Sequence, residues 1–440
     1  MKDVAKALAG GLLGAALAVG PAAPAQSGGS VTKRMVHDPE QDELNALLSA
    51  AQKAMDQQDF PTAVKNYQAF LAKQPNNAIV HFQLGYAYTG LQRPEDAKAE
   101  YEKAAELDPK MDAAYLNLGL TLLETDPAAA IEPLEKAAEL KPDEARPKFL
   151  MGLAYEREKK LSEAVEQFQA AEKLDAKDFD IHFALARALL TLNRAGEAEP
   201  EFRAALALKP ESASAHLGLA ECDLAQKNTD AAETELAAYL TGNPHDTEAR
   251  VALASALVKS GKYPEALAQL DKAATTGAES LRALKLRSEA LFELKRYDEA
   301  VEALQKASAM APQDAEIPAR LGHLYLEKKE YPEALKDLST SFQMDPSSND
   351  VLADLAAANY LSKNWPAALQ AIDLLSKRKQ LPIGSIFIRA TCYDRLGQTK
   401  LALESYQEFL RLNKDETSDM YFEASARSRT LARELEEKKR

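Results

Sequence analysis

The chain has 440 residues with 68 acidic against 54 basic side chains, a net charge of −14, so a phosphate backbone would be repelled and nucleic acid is not an expected partner. Hydrophobic residues make up 46% of the chain and only 18 glycines are present, a composition rich in apolar helix-forming residues rather than loop formers. Length alone suggests two or three globular domains.

In the first 25 residues, Met1, Lys2 and Lys6 precede a Gly- and Ala-rich apolar stretch that ends at Ala23-Pro24-Ala25. This resembles a bacterial secretory signal peptide cut before Gln26, with Asp3 a departure in the charged region. The other reading is an uncleaved membrane anchor, but the uncharged apolar stretch from Ala7 to Val19 has 13 residues before Gly20-Pro21, short of a span. No cysteine follows the stretch, so attachment as a lipoprotein is not supported. The expectation is an exported chain, periplasmic or secreted, with no membrane span after cleavage. Residues 26–43 are polar with Gly and Ser and read as a flexible lead-in.

From residue 44 to 416 a ruler runs through the sequence. Alanines 63, 97, 130, 164, 198, 232, 266, 300, 334, 368 and 402 lie 34 residues apart with a single shorter step. Twelve residues before each stands a small residue, as in Ala51, Gly85, Gly152, Ala186 and Gly322, the interval being one residue short between Gly119 and Ala130. Four residues after each stands a large apolar one, as in Tyr67, Tyr101, Leu134, Phe168, Phe202, Leu270 and Tyr406. Prolines 75, 109, 142, 210, 244, 312 and 346 close seven of the units, because proline lacks the donor a helix needs and pushes its predecessor out of helical geometry. A second break recurs as Asp59-Phe60-Pro61, Lys262-Tyr263-Pro264, Glu330-Tyr331-Pro332 and Asn364-Trp365-Pro366, with proline suited to a first helical turn. Each unit therefore predicts helix A, a tight turn, helix B and a short linker. A period of this size means that single units cannot bury their apolar faces and must stack on neighbours, so the expected array is one elongated domain.

The pattern resembles the tetratricopeptide repeat, with the small residue at repeat position 8, alanine at 20, an aromatic or leucine at 24 and proline at 32. Unit two carries it most fully, in Leu84-Gly85, Tyr88, Ala97, Tyr101, Ala104 and Pro109. The pentatricopeptide array is the nearest confusable repeat, but it is one residue longer and typically basic. The resemblance implies an all-α fold, a right-handed α-solenoid of about eleven helix-turn-helix repeats. Residues 418–440 continue with helical spacing through Met420, Phe422, Ala424, Leu431 and Leu435 and then a charged tip. A solenoid needs a final helix to cover its last apolar surface, so this segment is expected to cap the array; docking of a partner is the competing role.

The chemistry-bearing residues form no catalytic constellation. The histidines at 37, 81, 182, 216, 245 and 323 have no metal-binding spacing, and His81, His182 and His216 share repeat position 4, where a packing role is expected. Cys222 and Cys392 lie five repeats apart, too far to pair, and read as buried thiols. There is no nucleophile elbow and no Gly-rich phosphate loop. The expectation is no enzyme, no metal and no cofactor. Three irregularities stand out. Asp223 and Asn359 occupy position 11, where Tyr88, Tyr155, Tyr325 and Tyr393 stand elsewhere, and Pro133 falls inside helix B of unit three, where a kink is expected.

Function then rests on the concave surface, which the resemblance assigns to helix A positions 2, 5, 9 and 12. In units two to five those positions carry Ile79, Phe82, Tyr86, Leu116, Leu120, Leu123, Phe149, Leu153, Phe183 and Leu190, interrupted by Arg146 and Arg187. In units seven to eleven they carry Glu248, Arg282, Lys285, Glu289, Glu316, His323, Asp350 and Asp394. The candidate partner groove is Ile79, Phe82, Tyr86, Leu116, Leu120, Phe149, Leu153, Phe183 and Arg187, because exposed apolar patches mark binding sites. The alternative is that these side chains are internal packing. The family's clamp for a C-terminal carboxylate needs lysine and asparagine at positions 5 and 9, where Phe82 and Tyr86, or Lys285 and Glu289, stand instead, so it does not carry over. The expected activity is a scaffold for extended protein or peptide segments in envelope assembly or secretion. A glycan or small-ligand module and an accessory subunit of an envelope enzyme are the other classes.

Overall fold

The computed structural model describes residues 39–437, apart from 278 and 379. The expected signal segment lies outside them. All regular structure among the described residues is helical, and the helices fall into two compact bodies, residues up to 109 and residues from 110 onward. The division follows Pro109, the proline that closes unit two, where one continuous array was expected.

The first body holds α1 (Pro39–Asp56), α2 (Phe60–Lys73), α3 (Ala78–Gly90) and α4 (Pro94–Leu107), each packed on the next. Helix α1 starts at Pro39, inside the stretch expected to be a flexible lead-in. The second body holds α5 (Asp112–Thr125), α6 (Pro127–Leu140), α7 (Ala145–Arg157), α8 (Leu161–Glu172), α9 (Phe179–Thr191), α10 (Ala195–Leu208), α11 (Ala213–Ala225) and α12 (Thr229–Gly242). It continues with α13 (Thr247–Lys259), α14 (Tyr263–Thr276), α15 (Leu281–Glu293), α16 (Tyr297–Met310), α17 (Glu316–Glu327) and α18 (Tyr331–Met344). It ends with α19 (Asn349–Leu361), α20 (Trp365–Ser376), α21 (Ile383–Arg395), α22 (Thr399–Leu412) and α23 (Asp419–Glu437). Here too each helix packs on its successor, and first helices of neighbouring pairs also touch, as α5 on α7, α9 on α11 and α13 on α15.

Local chemistry fixes the boundaries. Ser212, Asp246, Ser280 and Ser348 cap α11, α13, α15 and α19 by accepting a backbone N–H of the first turn. Proline stands in the first turn of α2, α14, α18 and α20, where no donor is needed. Between the two helices of a unit the chain reverses through one residue in the left-handed region, at positions 58, 92, 159, 193, 227, 261, 295, 329, 363 and 397. The amide after it returns to the carbonyl five residues back, as Lys262 to Leu257 and Arg296 to Leu291. Unit three, with its shortened interval, has no such residue; Asp126 instead caps α6 directly through Ala129. Helix α6 runs from Pro127 to Leu140 through Pro133 as a single element.

The ruler residues form the core. All eleven alanines are fully buried, and none of the large residues four places on is more than 1% exposed. Where position 8 is glycine the large side chain lies against it: a Cβ at Gly152 would stand 2.4 Å from the Phe168 ring, and one at Gly119 would stand 2.4 Å from Leu134. Burying each such side chain contributes roughly 1.5–3 kcal/mol, and the tyrosines Tyr101 and Tyr406 satisfy their hydroxyls on Thr89 and Thr391.

The position-4 histidines brace the fold with both ring nitrogens. His81 pairs Nδ1 with Glu100 at 2.5 Å and Nε2 with the Pro75 carbonyl at 2.8 Å. His182 repeats this with Glu201 at 2.7 Å and the Ala176 carbonyl at 3.1 Å, and His216 with Glu235 at 2.5 Å and the Pro210 carbonyl at 2.9 Å. Arg250 does the same, donating to the Pro244 carbonyl and to Gln269 Oε1. One side chain thus ties the preceding linker, helix A and helix B together.

The two polar residues in the tyrosine position behave differently. Asn359 donates to the Leu355 carbonyl of its own helix at 2.9 Å. Asp223 is fully buried, and neither carboxylate oxygen has a hydrogen-bond partner in good geometry among the described residues. Burial pushes its carboxyl above the ordinary range, with Glu199 and Glu235 adding to this and Arg203 and the Asn228 side chain opposing it. Cys222 and Cys392 are buried free thiols, each pushed up to about 12 by burial. Helix α23 packs on α22, burying Ala424 and Leu431 against the cluster of Ile386, Phe387, Tyr406 and Phe409.

Candidate functional site

The apolar stripe expected along the first helices is only partly accessible. In the first body, Ile79 is 57% exposed beside half-buried Phe82 and Tyr86. Phe82 leans on Tyr101, with ring centroids 5.7 Å apart. In the second body, Leu116, Leu120, Phe183 and Leu190 are half-buried. Leu123, Phe149 and Leu153 are buried, the last two at 5% and 8% exposure, which removes Phe149 and Leu153 from the candidate surface. Phe149 packs on the Phe168 ring, which lies over Gly152, with ring centroids 5.8 Å apart. Arg187 is held by both oxygens of Glu156 at 2.7 Å and lies over the Phe183 ring.

A cleft of about 480 Å³ runs across α15, α17 and α19, lined by residues that include Phe292, Glu289, Glu316, Arg320, His323 and Asp354. Its floor is apolar, from Phe292, Ala315, Ala319, Leu324 and Val351. Five carboxylates on its walls (Glu289, Glu316, Asp345, Asp350 and Asp354) outnumber one guanidinium and one imidazole.

Ion pairs hold those walls in place. Lys285 bridges Asp314 and Glu316 at 2.6 Å each, and these bonds hold both carboxyls below their ordinary values. Burial disfavours the Lys285 ammonium, yet the two carboxylates outweigh it and keep its pKa raised. Arg320 reaches Glu316 at 2.8 Å and Glu289 at 3.3 Å. His323 pairs with Asp354 at 3.1 Å, which raises its pKa, and rests on the Phe292 ring at 5.4 Å. Asp394, expected in the same groove, is instead gripped by both ends of the Arg427 guanidinium from α23, at 2.7 and 2.6 Å.

Arg320 and Asp354 escaped the sequence reading because both stand at repeat position 6, outside the four positions the resemblance assigns to the groove. A signal for Arg320 was present in Glu316, four residues earlier on the same helix face. Asp354 had none, since its partner His323 is 31 residues away.

Comparison with known proteins agrees with the repeat pattern. The family model of the cilia and flagella-associated protein 70 C-terminal domain matches residues 2–242, more than half of the chain. The model of anaphase-promoting complex, cyclosome, subunit 3 matches residues 225–307, and three tetratricopeptide repeat models match 291–340, 320–379 and 385–415. Tetratricopeptide repeat protein 37 from Xenopus laevis is 32% identical over 77 residues, 18% of this chain. The match spans 5% of that curated relative's length. Among solved structures, YrrB, described as a TPR protein with an unusual peptide-binding site, is 23% identical with a TM-score of 0.40, over 42% of this chain and 95% of that one. The Cut9–Hcn1 hetero-tetramer of the APC/C gives 15% identity and a TM-score of 0.40, over 88% and 96%. MamA from Desulfovibrio magneticus RS-1 gives 22% and 0.37, over 39% and 97%. By its period, its helix pairs and the family models that match it, the chain belongs to the tetratricopeptide-repeat family, the cilia and flagella-associated protein 70 C-terminal domain being a family model that covers more than half of it.

Proposed function

We propose that this chain is a non-enzymatic scaffold that holds an extended peptide segment bearing basic and apolar side chains in the cleft across α15, α17 and α19. The observation that carries this is the lining itself, an apolar floor beneath walls in which carboxylates outnumber cations. Its volume of about 480 Å³ suits a short stretch of chain rather than a folded surface. Apolar contacts would supply affinity and the carboxylates would select lysine or arginine and speed encounter. A second contact region, Ile79 with Phe82 and Tyr86 in the first body, is favoured by the exposure of Ile79.

Panning a random peptide library on the purified chain tests the reading. Peptides with Lys or Arg beside an apolar residue should be enriched, and Glu289→Lys combined with Asp354→Lys should weaken them by about tenfold or more. Enrichment without basic residues, or affinity unmoved by that double substitution in a folded variant, would overturn it. Loss through Ile79→Ser and Phe82→Ala instead would assign the site to the first body, and retention of the chain on immobilised polysaccharide with no peptide enriched would favour the glycan-binding class.

We also propose that the protein works outside the cytoplasm, in envelope assembly or secretion. This rests on the charged and apolar pattern of residues 1–25. Intact-mass measurement of the cellular protein should give a chain beginning at Gln26; retention of the first 25 residues in a cytoplasmic fraction would refute export.

A further inference from the structure

The histidine brace occurs in three units, but in one it has company. Ten residues before His182 stands Glu172, the last residue of α8, whereas the same place before His81 and His216 is filled by Leu71 and Leu206. One ring nitrogen of His182 and one oxygen each of Glu172 and Glu201 all lie within 4.8 Å of one another. His182 is 5% exposed while the two glutamates are half-buried, so the cluster opens to solvent on its carboxylate side.

We propose that Glu172, His182 and Glu201 form a binding site for one divalent transition-metal ion, with zinc the ion that the donor set suits. With Nε2–H donated to the Ala176 carbonyl at 3.1 Å, Nδ1 faces Glu201 at 2.7 Å, and a metal ion would take the place of the proton shared between them. That is the outer-shell arrangement that orients metal-binding histidines, with the far ring nitrogen tied to a backbone carbonyl. One imidazole and two carboxylates, with water completing a four-coordinate shell, is a borderline N/O donor set of the kind that takes zinc. Two carboxylates share a half-buried place there, and a dication would relieve their repulsion. The brace in its metal-free form needs only His182, Glu201 and the Ala176 carbonyl, as His216 with Glu235 and the Pro210 carbonyl demonstrates, so it leaves Glu172 with no structural task. Bound metal would join α8, α9 and α10 at the junction of units four and five.

Isothermal titration of the chelator-treated full chain with zinc alone should show one site per chain and a rise in melting temperature. Glu172→Gln, which leaves the histidine brace intact, should weaken zinc by about tenfold or more, while His216→Asn should leave it unchanged. Cobalt in place of zinc should give the visible bands of a low-symmetry four-coordinate ion, absent in Glu172→Gln. No zinc uptake by the folded chain, or equal uptake by Glu172→Gln with a native helical signal, would overturn the proposal.

Discussion

Gly152→Ala should lower stability by about 1–3 kcal/mol, although glycine to alanine normally favours a helix. A Cβ there would stand 2.4 and 2.5 Å from two carbons of the Phe168 ring, and that ring has no exposed edge toward which to retreat. The neighbouring unit shows one way in which a phenylalanine is accommodated. Phe202 shares its unit with Ala186 rather than glycine, but it lies over Gly218 of α11, where a Cβ would be 2.2 Å away. Phe168 lacks that outlet, because Ala184 stands at the equivalent place on α9. Leucine is compatible with alanine, as the fully buried pairs Ala220 with Leu236 and Ala254 with Leu270 demonstrate. Phe168→Leu should therefore restore much of the loss in the Gly152→Ala background, while Phe168→Ala alone should cost about 3–5 kcal/mol by opening a cavity. Urea denaturation of the four variants measures this as a double-mutant cycle. Additive losses from Gly152→Ala and Phe168→Leu would show that the two side chains do not compete for one space.

Asp223→Asn should gain about 1–3 kcal/mol at pH 7, because it removes a buried carboxylate that has no hydrogen bond in good geometry and replaces it with a neutral group of the same size. The gain carries a pH signature. Burial raises the folded carboxyl above its unfolded value, so the native state takes up the proton first. Wild-type stability therefore rises as pH falls through the raised folded value toward the ordinary carboxylate value, and is fully present below it. The amide cannot follow. The difference between variant and wild type should close with acidification, and a gain independent of pH, or none at pH 7, would contradict the account.

Much of this was legible because it is local. The interval between Ala63 and its successors fixed the helix pairs, and the prolines at 61, 264, 332 and 366 marked where second helices begin. Asp223 could be flagged from its place among tyrosines. Accessibility could not be read this way, because a repeat position states which face of a helix a residue occupies and not how deeply a neighbour lets it sink. Phe149 and Phe82 share position 5, yet Phe149 is buried and Phe82 remains half-buried. The cleft residues Arg320 and Asp354, and the cluster of Glu172 with His182 and Glu201, are assembled from different helices at separations that form no sequence motif.

The ring that links linker, helix A and helix B has a mechanical consequence. Pulling the Ala176 carbonyl away from Glu201 loads a rigid imidazole across its short axis, so the junction resists until one of two directed bonds breaks. His216 and Arg250 pass load through the following units in the same manner. At the corresponding places in units eight to eleven stand Leu284, Pro318, Leu352 and Ile386, side chains with no polar atom through which to transmit a pull. Tension in those units passes instead through other bonds, such as Arg389 to Glu408 and the Arg427 grip on Asp394.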